Sequence, residues 1–128
     1  MKNFKPENYN SLSPYLIVKD AQRLINLIIE VFQGTPLRRF NRPDGSVMHA
    51  EIRIDDSVLM LSEATDEYPP NTTILHVYVT NADAVYELAL SKGCKGLEQP
   101  KQQEGDQDKR GMFEDFAGNL WSVSTQIG

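Results

Sequence analysis

The sequence predicts an α+β fold built from two βαβββ modules, which form a curved mixed sheet around a cleft and carry their helices on the outer face. The first observation is an internal repeat, because the run Tyr15–Ala21 resembles the run Val77–Asp83. In both copies a β-rich run is followed in the sequence by a polar residue and an alanine. The second is that each copy continues with apolar residues at helical spacing and then a glycine, Gly34 or Gly93. The third is the recurring order of strand, helix and three strands, which indicates two similar modules.

The first module opens with a strand at 12–18, and a helix follows it. Pro14 fits only near the end or edge of a strand, and Asp20 is a suitable helix N-cap. Gly34 suits the end of the helix. The helical stripe is formed by Leu24, Leu27, Ile28 and Val31, and an adjacent stripe by Ile25, Ile29 and Phe32. This apolar face is wider than one sheet surface can cover, which predicts contact with another helix or with a second subunit in a homodimer.

Three strands complete the first module, at 35–41, 47–54 and 57–62. A turn at 43–45, with the sequence Pro-Asp-Gly, separates the first two of them. The strand 47–54 alternates, so that one face receives Ala50, Ile52 and Ile54 and the other receives His49, Glu51 and Arg53. The acidic, proline-containing segment 63–71 is the best linker candidate.

The second module repeats this order. A strand at 73–79 precedes a helix that Asn81 or Asp83 caps and that runs to about Lys92. Further strands are expected at 94–99, 110–115 and 120–125, with a polar loop over 100–108. The expected division of the chain is a flexible leader at 1–11 and a single domain at 12–128, with modules at about 12–64 and 72–127.

The totals exclude several classes of protein. The net charge of −5, from 18 acidic and 13 basic residues, argues against nucleic acid or an anionic membrane as the main partner. Cys94 is the only cysteine, so no disulfide can form within the chain and no thiolate metal cluster is possible. The chain has no apolar run near the ~20 residues of a membrane span and no apolar signal core at its start. These features predict a cytoplasmic protein without a membrane segment.

Five stretches resemble the vicinal oxygen chelate superfamily, which contains glyoxalase I, bleomycin and fosfomycin resistance proteins and extradiol dioxygenases. More narrowly, the chain resembles the PhnB-like branch. The stretches cover most of residues 12–126 in the right order and are Pro14–Ala21, Pro43–Ile54, Ser57–Leu61, Leu75–Val79 and Glu114–Ser122. The last turn reads Asp-Phe-Ala-Gly from Asp115, where the branch has Asp-Pro-Phe-Gly. Asp first and Gly fourth still suit a turn, so the paired βαβββ fold that the resemblance implies is unaffected.

The resemblance also implies where a metal would bind, and this chain departs from the pattern there. Metal-dependent members place His or Glu ligands on the first and last strands of each module, at positions that correspond to Ser13, Met60, Ile74 and Ser122. Serine and methionine suit such metals poorly, and isoleucine cannot bind one. A catalytic site normally needs about three suitable protein ligands. We therefore expect no metal and no other cofactor.

Strand alternation predicts which side chains line the cleft instead. The expected ligand-binding residues are Tyr15, His49, Glu51, Met60, His76, Tyr78 and Ser122. They combine apolar walls with a few convergent polar groups, as small-molecule pockets do. The structural alternative is that the histidines are wall residues hydrogen-bonded to the sheet and that Glu51 pairs with Arg53. Trp121 points away from the cleft by the same alternation and is expected in the core.

Three functions are compatible with this pattern. The first is a metal-independent protein that binds a small organic ligand in the cleft, similar to the antibiotic-sequestering members. The second is a metal-dependent glyoxalase-like lyase or isomerase, or a dioxygenase, with the non-standard ligands His49, Glu51 and His76. The third is a structural or regulatory partner without a ligand. A histidine can also carry a proton near neutral pH, although the sequence shows no nucleophile to accompany it.

Overall fold

The computed structural model describes residues 3–128, and the chain divides into two compact units, one that ends at Asn71 and one that spans Thr72–Gly128. Each unit contains one helix and one four-stranded sheet. The predicted α+β class and the two βαβββ modules are therefore confirmed. None of the helices in the described part of the chain has the length and apolar character needed to cross a membrane.

The first unit follows the order predicted from the sequence. Its elements are β1 (Tyr15–Val18), α1 (Ala21–Phe32), β2 (Thr35–Asn41), β3 (Val47–Ile54) and β4 (Ser57–Glu63). The strands lie in the order β1-β4-β3-β2. The β1–β4 pair is parallel and the other two pairs are antiparallel, so the sheet is mixed. A helix connects β1 to β2, whereas short turns connect the antiparallel neighbours.

The register of this sheet sorts its side chains onto two faces. Leu16 and Ala50 both lie opposite Leu61, and all three side chains are buried. These residues belong to the face that α1 contacts through β1, β3 and β4. On the other face Tyr15 and Glu51 both lie opposite Met60. The predicted alternation along β3 is therefore confirmed, and it places His49, Glu51 and Arg53 on the face away from the helix.

The start of α1 is capped in a way that the sequence pattern did not predict. Asp20 occupies the N-cap position, but its backbone is left-handed (φ 63°) and its side chain makes no capping hydrogen bond. The Glu63 carboxylate accepts hydrogen bonds from the backbone N–H groups of Asp20 (2.9 Å) and Ala21 (2.8 Å) instead. The predicted N-cap position of Asp20 is confirmed, but its side chain does not cap the helix, because a carboxylate at the end of β4 supplies a stronger, bidentate acceptor.

The apolar stripe of α1 is mostly covered within the described chain. Its buried residues are Ala21, Leu24, Ile25, Ile28 and Val31. Full burial of an aliphatic side chain stabilises a fold by about 1.5–3 kcal/mol, so this stripe anchors the helix. At its C-terminal end Gln33, and not Gly34, takes the left-handed conformation. A Cβ at Gly34 would lie 2.6 Å from Cγ2 of Ile52, so the glycine permits a close approach to β3. The homodimer stays a prediction, although this stripe no longer requires one.

The second unit repeats the topology. Its elements are β5 (Ile74–Tyr78), α2 (Ala82–Ser91), β6 (Lys95–Gln102), β7 (Asp108–Glu114) and β8 (Leu120–Gln126), in the sheet order β5-β8-β7-β6. The polar loop expected over 100–108 is wrong in its first part, because β6 continues through Pro100 to Gln102. An edge strand tolerates proline, and the register shifts between Glu98 and Lys101, where Pro100 lies.

Two polar side chains fix α2. Asn81 is the N-cap, because its side-chain oxygen accepts a hydrogen bond from the backbone N–H of Ala84 at 3.1 Å. The hydroxyl of Thr125 accepts from the N–H of Ala82 at 2.9 Å and donates to the carbonyl of Val79 at 2.8 Å. Thr125 lies near the end of β8, as Glu63 does in β4. In both modules the last strand therefore caps the helix.

The last turn is built around the buried carboxylate of Asp115. One of its oxygens accepts from the backbone N–H groups of Ala117 (2.9 Å) and Asn119 (3.0 Å). The other accepts from Nε1 of Trp121 at 2.9 Å. Trp121 is buried, as expected for a core residue. Gly118 supplies the positive φ of the turn (88°), which explains why Asp-Phe-Ala-Gly suffices without a proline.

Candidate functional site

The two units share the predicted ligand-binding residues between them. The first unit contains Tyr15 on β1, His49 and Glu51 on β3 and Met60 on β4, whereas the second contains His76 and Tyr78 on β5 and Ser122 on β8. The register brings the first group together around Met60. In the second group His76 lies directly opposite Ser122. The cleft expected between the modules stays a prediction.

Glu51 is the centre of a hydrogen-bonded chain in the first unit. Its side chain is almost fully buried, with 5% exposed. One carboxylate oxygen accepts from the hydroxyl of Tyr9 at 2.5 Å. The other lies 2.8 Å from Nε2 of His49, and Nδ1 of His49 lies 3.0 Å from the hydroxyl of Tyr15. Tyr9, Glu51, His49 and Tyr15 thus form one continuous set, which we call the hydrogen-bonded chain.

The charge of Glu51 determines how the protons are arranged along this chain. Burial, the largest single influence, raises the pKa of the carboxyl, but the hydrogen bonds from Tyr9 and His49 outweigh burial and hold the pKa below its usual value. An ionised carboxylate can only accept hydrogen bonds. Nε2 of His49 must therefore carry a proton, and in the neutral ring Nδ1 accepts from the hydroxyl of Tyr15. Glu51 fixes the tautomer of His49 in this way.

Three rings at the outer end of this chain form an exposed aromatic surface. The ring centroids of Tyr15 and His49 are 5.6 Å apart, and those of Phe40 and His49 are 6.4 Å apart. Phe40 lies opposite His49 in the sheet register. Tyr15 is 43% exposed and Phe40 is 53% exposed. We call Tyr15, Phe40 and His49 the aromatic set, and it lies on the sheet face away from α1.

The inner end of the hydrogen-bonded chain is Tyr9, which belongs to the leader. The sequence pattern did not predict this contact. Besides the bond from Tyr9 to Glu51, the side-chain oxygen of Asn10 accepts from the backbone N–H of Val58 on β4 at 3.0 Å. The guanidinium of Arg38 lies 5.5 Å from the centre of the Tyr9 ring. The hydrogen bond to Glu51 is the largest cause that raises the pKa of Tyr9. The leader residues are polar and aperiodic, so no periodicity signal marks their contact with the sheet.

A groove with a volume of about 470 Å³ lies beside the leader. It is lined by Asn8, Tyr9, Asn10, Arg53, Asp55 and Asp56. Arg53 donates a hydrogen bond to the carbonyl of Asn8 at 3.3 Å. Glu51 therefore bonds to His49 and Tyr9 in place of the expected pairing with Arg53. Arg53 helps to hold the leader.

The predicted residues of the second unit make a different set of contacts. Nε2 of His76 lies 3.0 Å from the hydroxyl of Ser124, and the rings of His76 and Tyr78 meet edge to face with centroids 4.7 Å apart. The hydroxyl of Tyr78 donates to Asp108 at 2.7 Å, and this bond raises the pKa of Tyr78. Arg110 lies 3.7 Å from the same carboxylate oxygen. The histidine of this unit therefore contacts a hydroxyl and a ring.

The donor set does not fit the metal site that the fold family implies. Within residues 3–128, no three side chains of His, Cys, Asp or Glu form a group that could hold a metal ion. In the first unit both nitrogens of His49 and both oxygens of Glu51 already have hydrogen-bond partners.

Comparison with known proteins identifies the family. Residues 10–123 match the Glyoxalase/Bleomycin resistance protein/Dioxygenase superfamily. The chain belongs to this superfamily. An uncharacterized protein of Mycobacterium tuberculosis is 27% identical over 91% of this chain and 75% of its own length.

Solved structures agree with this assignment. TioX from Micromonospora sp. ML1 superposes with a TM-score of 0.77 at 16% identity, over 92% of this chain and 99% of that one. The PhnB protein from Bacillus cereus superposes with a TM-score of 0.66 at 13% identity, over 91% and 99% of the two chains. These identities are low, so the superpositions show a shared fold. The resemblance of the sequence to the superfamily is confirmed.

Proposed function

We propose that this superfamily member binds a small organic ligand, without a metal, on the open face of the first unit's sheet. The observation that carries the proposal is the exposed aromatic set above a fully hydrogen-bonded carboxylate. Exposed aromatic rings gathered on one sheet face favour a ligand with a flat apolar part, because stacked or edge-to-face ring pairs add about 0.5–1.5 kcal/mol beyond area burial.

Polar groups beside the rings would orient such a ligand. The hydroxyl of Tyr15 is held by its hydrogen bond to His49, and its oxygen keeps a lone pair for a further hydrogen bond. Met60 lies next to Tyr15 in the register and supplies an adaptable apolar surface. A few fixed polar atoms among apolar walls are typical of small-molecule sites.

A screen for thermal stabilisation tests the proposal. Small aromatic compounds, glycopeptides and thiol conjugates would each be added to the protein, and a ligand at 100 times its dissociation constant should add about 2.7 kcal/mol to the free energy of unfolding. Tyr15→Ala and Phe40→Ala should abolish the stabilisation. Tyr68→Ala is the matched control, because Tyr68 is an exposed tyrosine outside the aromatic set. If no compound stabilises the protein, the third function, a partner without a ligand, replaces the proposal.

The metal-dependent alternative has its own test. Protein purified without chelator would be analysed for Zn, Ni, Mn and Fe and then titrated with each metal. We expect less than one tenth of an equivalent, on the order of adventitious binding, because a structural or catalytic site needs three or four suitable ligands. Stoichiometric metal that is lost together in His49→Ala, Glu51→Ala and His76→Ala would establish the metalloenzyme instead.

A further inference from the structure

The hydrogen-bonded chain ends at an exposed oxygen atom that can either accept or donate a proton. When His49 is neutral, the hydroxyl of Tyr15 donates to Nδ1 and its oxygen has a free lone pair. When His49 is doubly protonated, Nδ1–H donates to the same oxygen, and the hydroxyl proton of Tyr15 becomes free to point outwards. Every group in the chain keeps its hydrogen bond in both states.

We propose that Tyr15 and His49 accept a proton from an acidic hydroxyl of the bound ligand, so that the protein holds its ligand as an anion. This inference rests on the proposed function and names its ligand class, which is a planar weak acid such as a phenol or an enol. The flat part of the ligand would pack on the aromatic set, and its hydroxyl would meet the oxygen of Tyr15.

The proton transfer balances without a co-reactant. The ligand O–H bond breaks, its electron pair stays on the ligand oxygen, and the proton forms a new O–H bond on Tyr15. The original hydroxyl proton of Tyr15 moves to Nδ1 of His49. The result is a ligand anion hydrogen-bonded to Tyr15, and an imidazolium paired with the carboxylate of Glu51 at 2.8 Å. The overall charge of the complex is unchanged.

The surroundings of His49 favour the imidazolium that the transfer produces. Glu51 faces His49 and Tyr9, with the guanidinium of Arg38 near enough to act on its charge. The Tyr9 hydroxyl satisfies the second carboxylate oxygen, so Glu51 remains ionised and ready to stabilise the imidazolium. His49 itself faces Phe40 and Tyr15. Glu51 is thus a positioning residue that acts through His49.

The probe for this step is 4-nitrophenol, because its phenolate absorbs visible light and its neutral form does not. The measurement is made about one pH unit below the pKa of the free probe, where about a tenth of it is ionised. Binding is measured separately by calorimetry, and the absorbance is then divided by the amount of bound probe. We expect at least half of the bound probe to be ionised, a rise of about fivefold over the free probe.

Substitutions separate proton transfer from binding. Tyr15→Phe keeps the ring and removes the hydroxyl, and His49→Gln keeps a polar side chain that cannot take a proton. In both variants the ionised fraction of bound probe should fall to the value in solution. Glu51→Gln should lower the ionised fraction of bound probe only in part. It should also shift the pH at which this fraction rises, which a merely structural role would not do. Tyr68→Phe is the control and should match the parent protein.

Each outcome decides the inference. A bound probe that is ionised in the parent protein and neutral in Tyr15→Phe supports it. A probe that binds with its solution ionisation overturns the proton transfer and leaves the proposed binding function intact. A probe that fails to bind at millimolar concentration, on the order of the weakest specific affinities, overturns both.

Discussion

Replacing Glu51 by glutamine should weaken the fold at neutral pH and should weaken it less as the pH falls. Both partners of Glu51, the hydroxyl of Tyr9 and Nε2 of His49, are placed as hydrogen-bond donors. A glutamine offers one acceptor oxygen and one NH₂ group, which is itself a donor. The partner that faces this NH₂ group would have to change from donor to acceptor, so its charge-assisted bond to the carboxylate would be lost. Because the side chain is 5% exposed, water cannot readily replace the lost bond.

The magnitude follows from these contacts. A hydrogen bond to a charged group contributes about 1.5–3 kcal/mol and a neutral one about 0.5–1.5 kcal/mol, while an unsatisfied buried group costs about 1–3 kcal/mol. The loss of one bond and the weakening of the other give about 2–4 kcal/mol for Glu51→Gln. For 128 residues, an unfolding entropy of about 2.1 cal/mol/K per residue converts this into a fall in Tm of about 7–15 °C.

The pH dependence has a definite sign. The pKa of Glu51 is held below its usual value in the folded protein. A depressed carboxyl pKa contributes stability that is fully present above the unfolded pKa, about 4.3, and that is lost as the pH falls through the lower folded value. The difference in stability between the parent protein and Glu51→Gln should therefore be largest near neutral pH and should shrink below about pH 4.

Urea unfolding of the two proteins at about pH 7 and about pH 3.5, on either side of the ordinary carboxyl pKa, measures this difference. Glu67→Gln is the matched control, because Glu67 is an exposed carboxylate in the segment after β4, and it should change stability by less than about 0.5 kcal/mol. An equal loss for Glu51→Gln at both pH values would refute the reasoning, because the carboxylate would then not be stabilised in its ionised form.

Three further substitutions test the supports of the fold. Glu63→Ala removes the bidentate cap of α1 and should cost about 2 kcal/mol, or about 7 °C in Tm, with a proportionate loss of helical circular dichroism. If the cap is dispensable, the helical signal will not fall. Asp115→Ala removes a carboxylate that accepts from the indole N–H of Trp121 and from two backbone N–H groups of the turn. We expect a loss of about 3 kcal/mol in urea unfolding, and a change below about 1 kcal/mol would contradict the role given to this turn. Gly34→Ala places a methyl group 2.6 Å from Ile52 and should cost about 1–3 kcal/mol by thermal unfolding, whereas a neutral result would show that β3 can move away.

The fold was largely predictable because local patterns and the repeat agree. Alternation along β3 assigned Ala50 and Ile52 to the covered face and His49 and Glu51 to the open face, and the register bears this out. Such patterns report which face is buried, since a shift of one residue would turn every side chain over. They also placed Trp121 in the core, where it is buried.

The contacts that the sequence did not reveal join residues far apart in the chain. Glu63 caps a helix that begins some forty residues earlier, and Tyr9 bonds to Glu51 across a similar separation. Local propensity favours Asp20 as the cap, but it cannot weigh a distant carboxylate against it. The leader has no hydrophobic periodicity, so the sequence alone could not predict that Tyr9 contacts the sheet at Glu51.

The two modules differ in the partner of their histidine, and this difference favours the first copy for the proposed proton transfer. Each has a tyrosine, a histidine and a carboxylate on its sheet. In the first, the carboxylate bonds to the histidine, so the ring has a fixed tautomer and a counter-ion for its protonated form. In the second, the carboxylate of Asp108 bonds to Tyr78 and lies near Arg110, while His76 meets a serine hydroxyl. An imidazolium at His49 would donate to an ionised carboxylate, whereas one at His76 would donate only to the uncharged hydroxyl of Ser124. The two copies therefore share their topology, but the first pairs its histidine with a carboxylate and the second pairs its histidine with a serine.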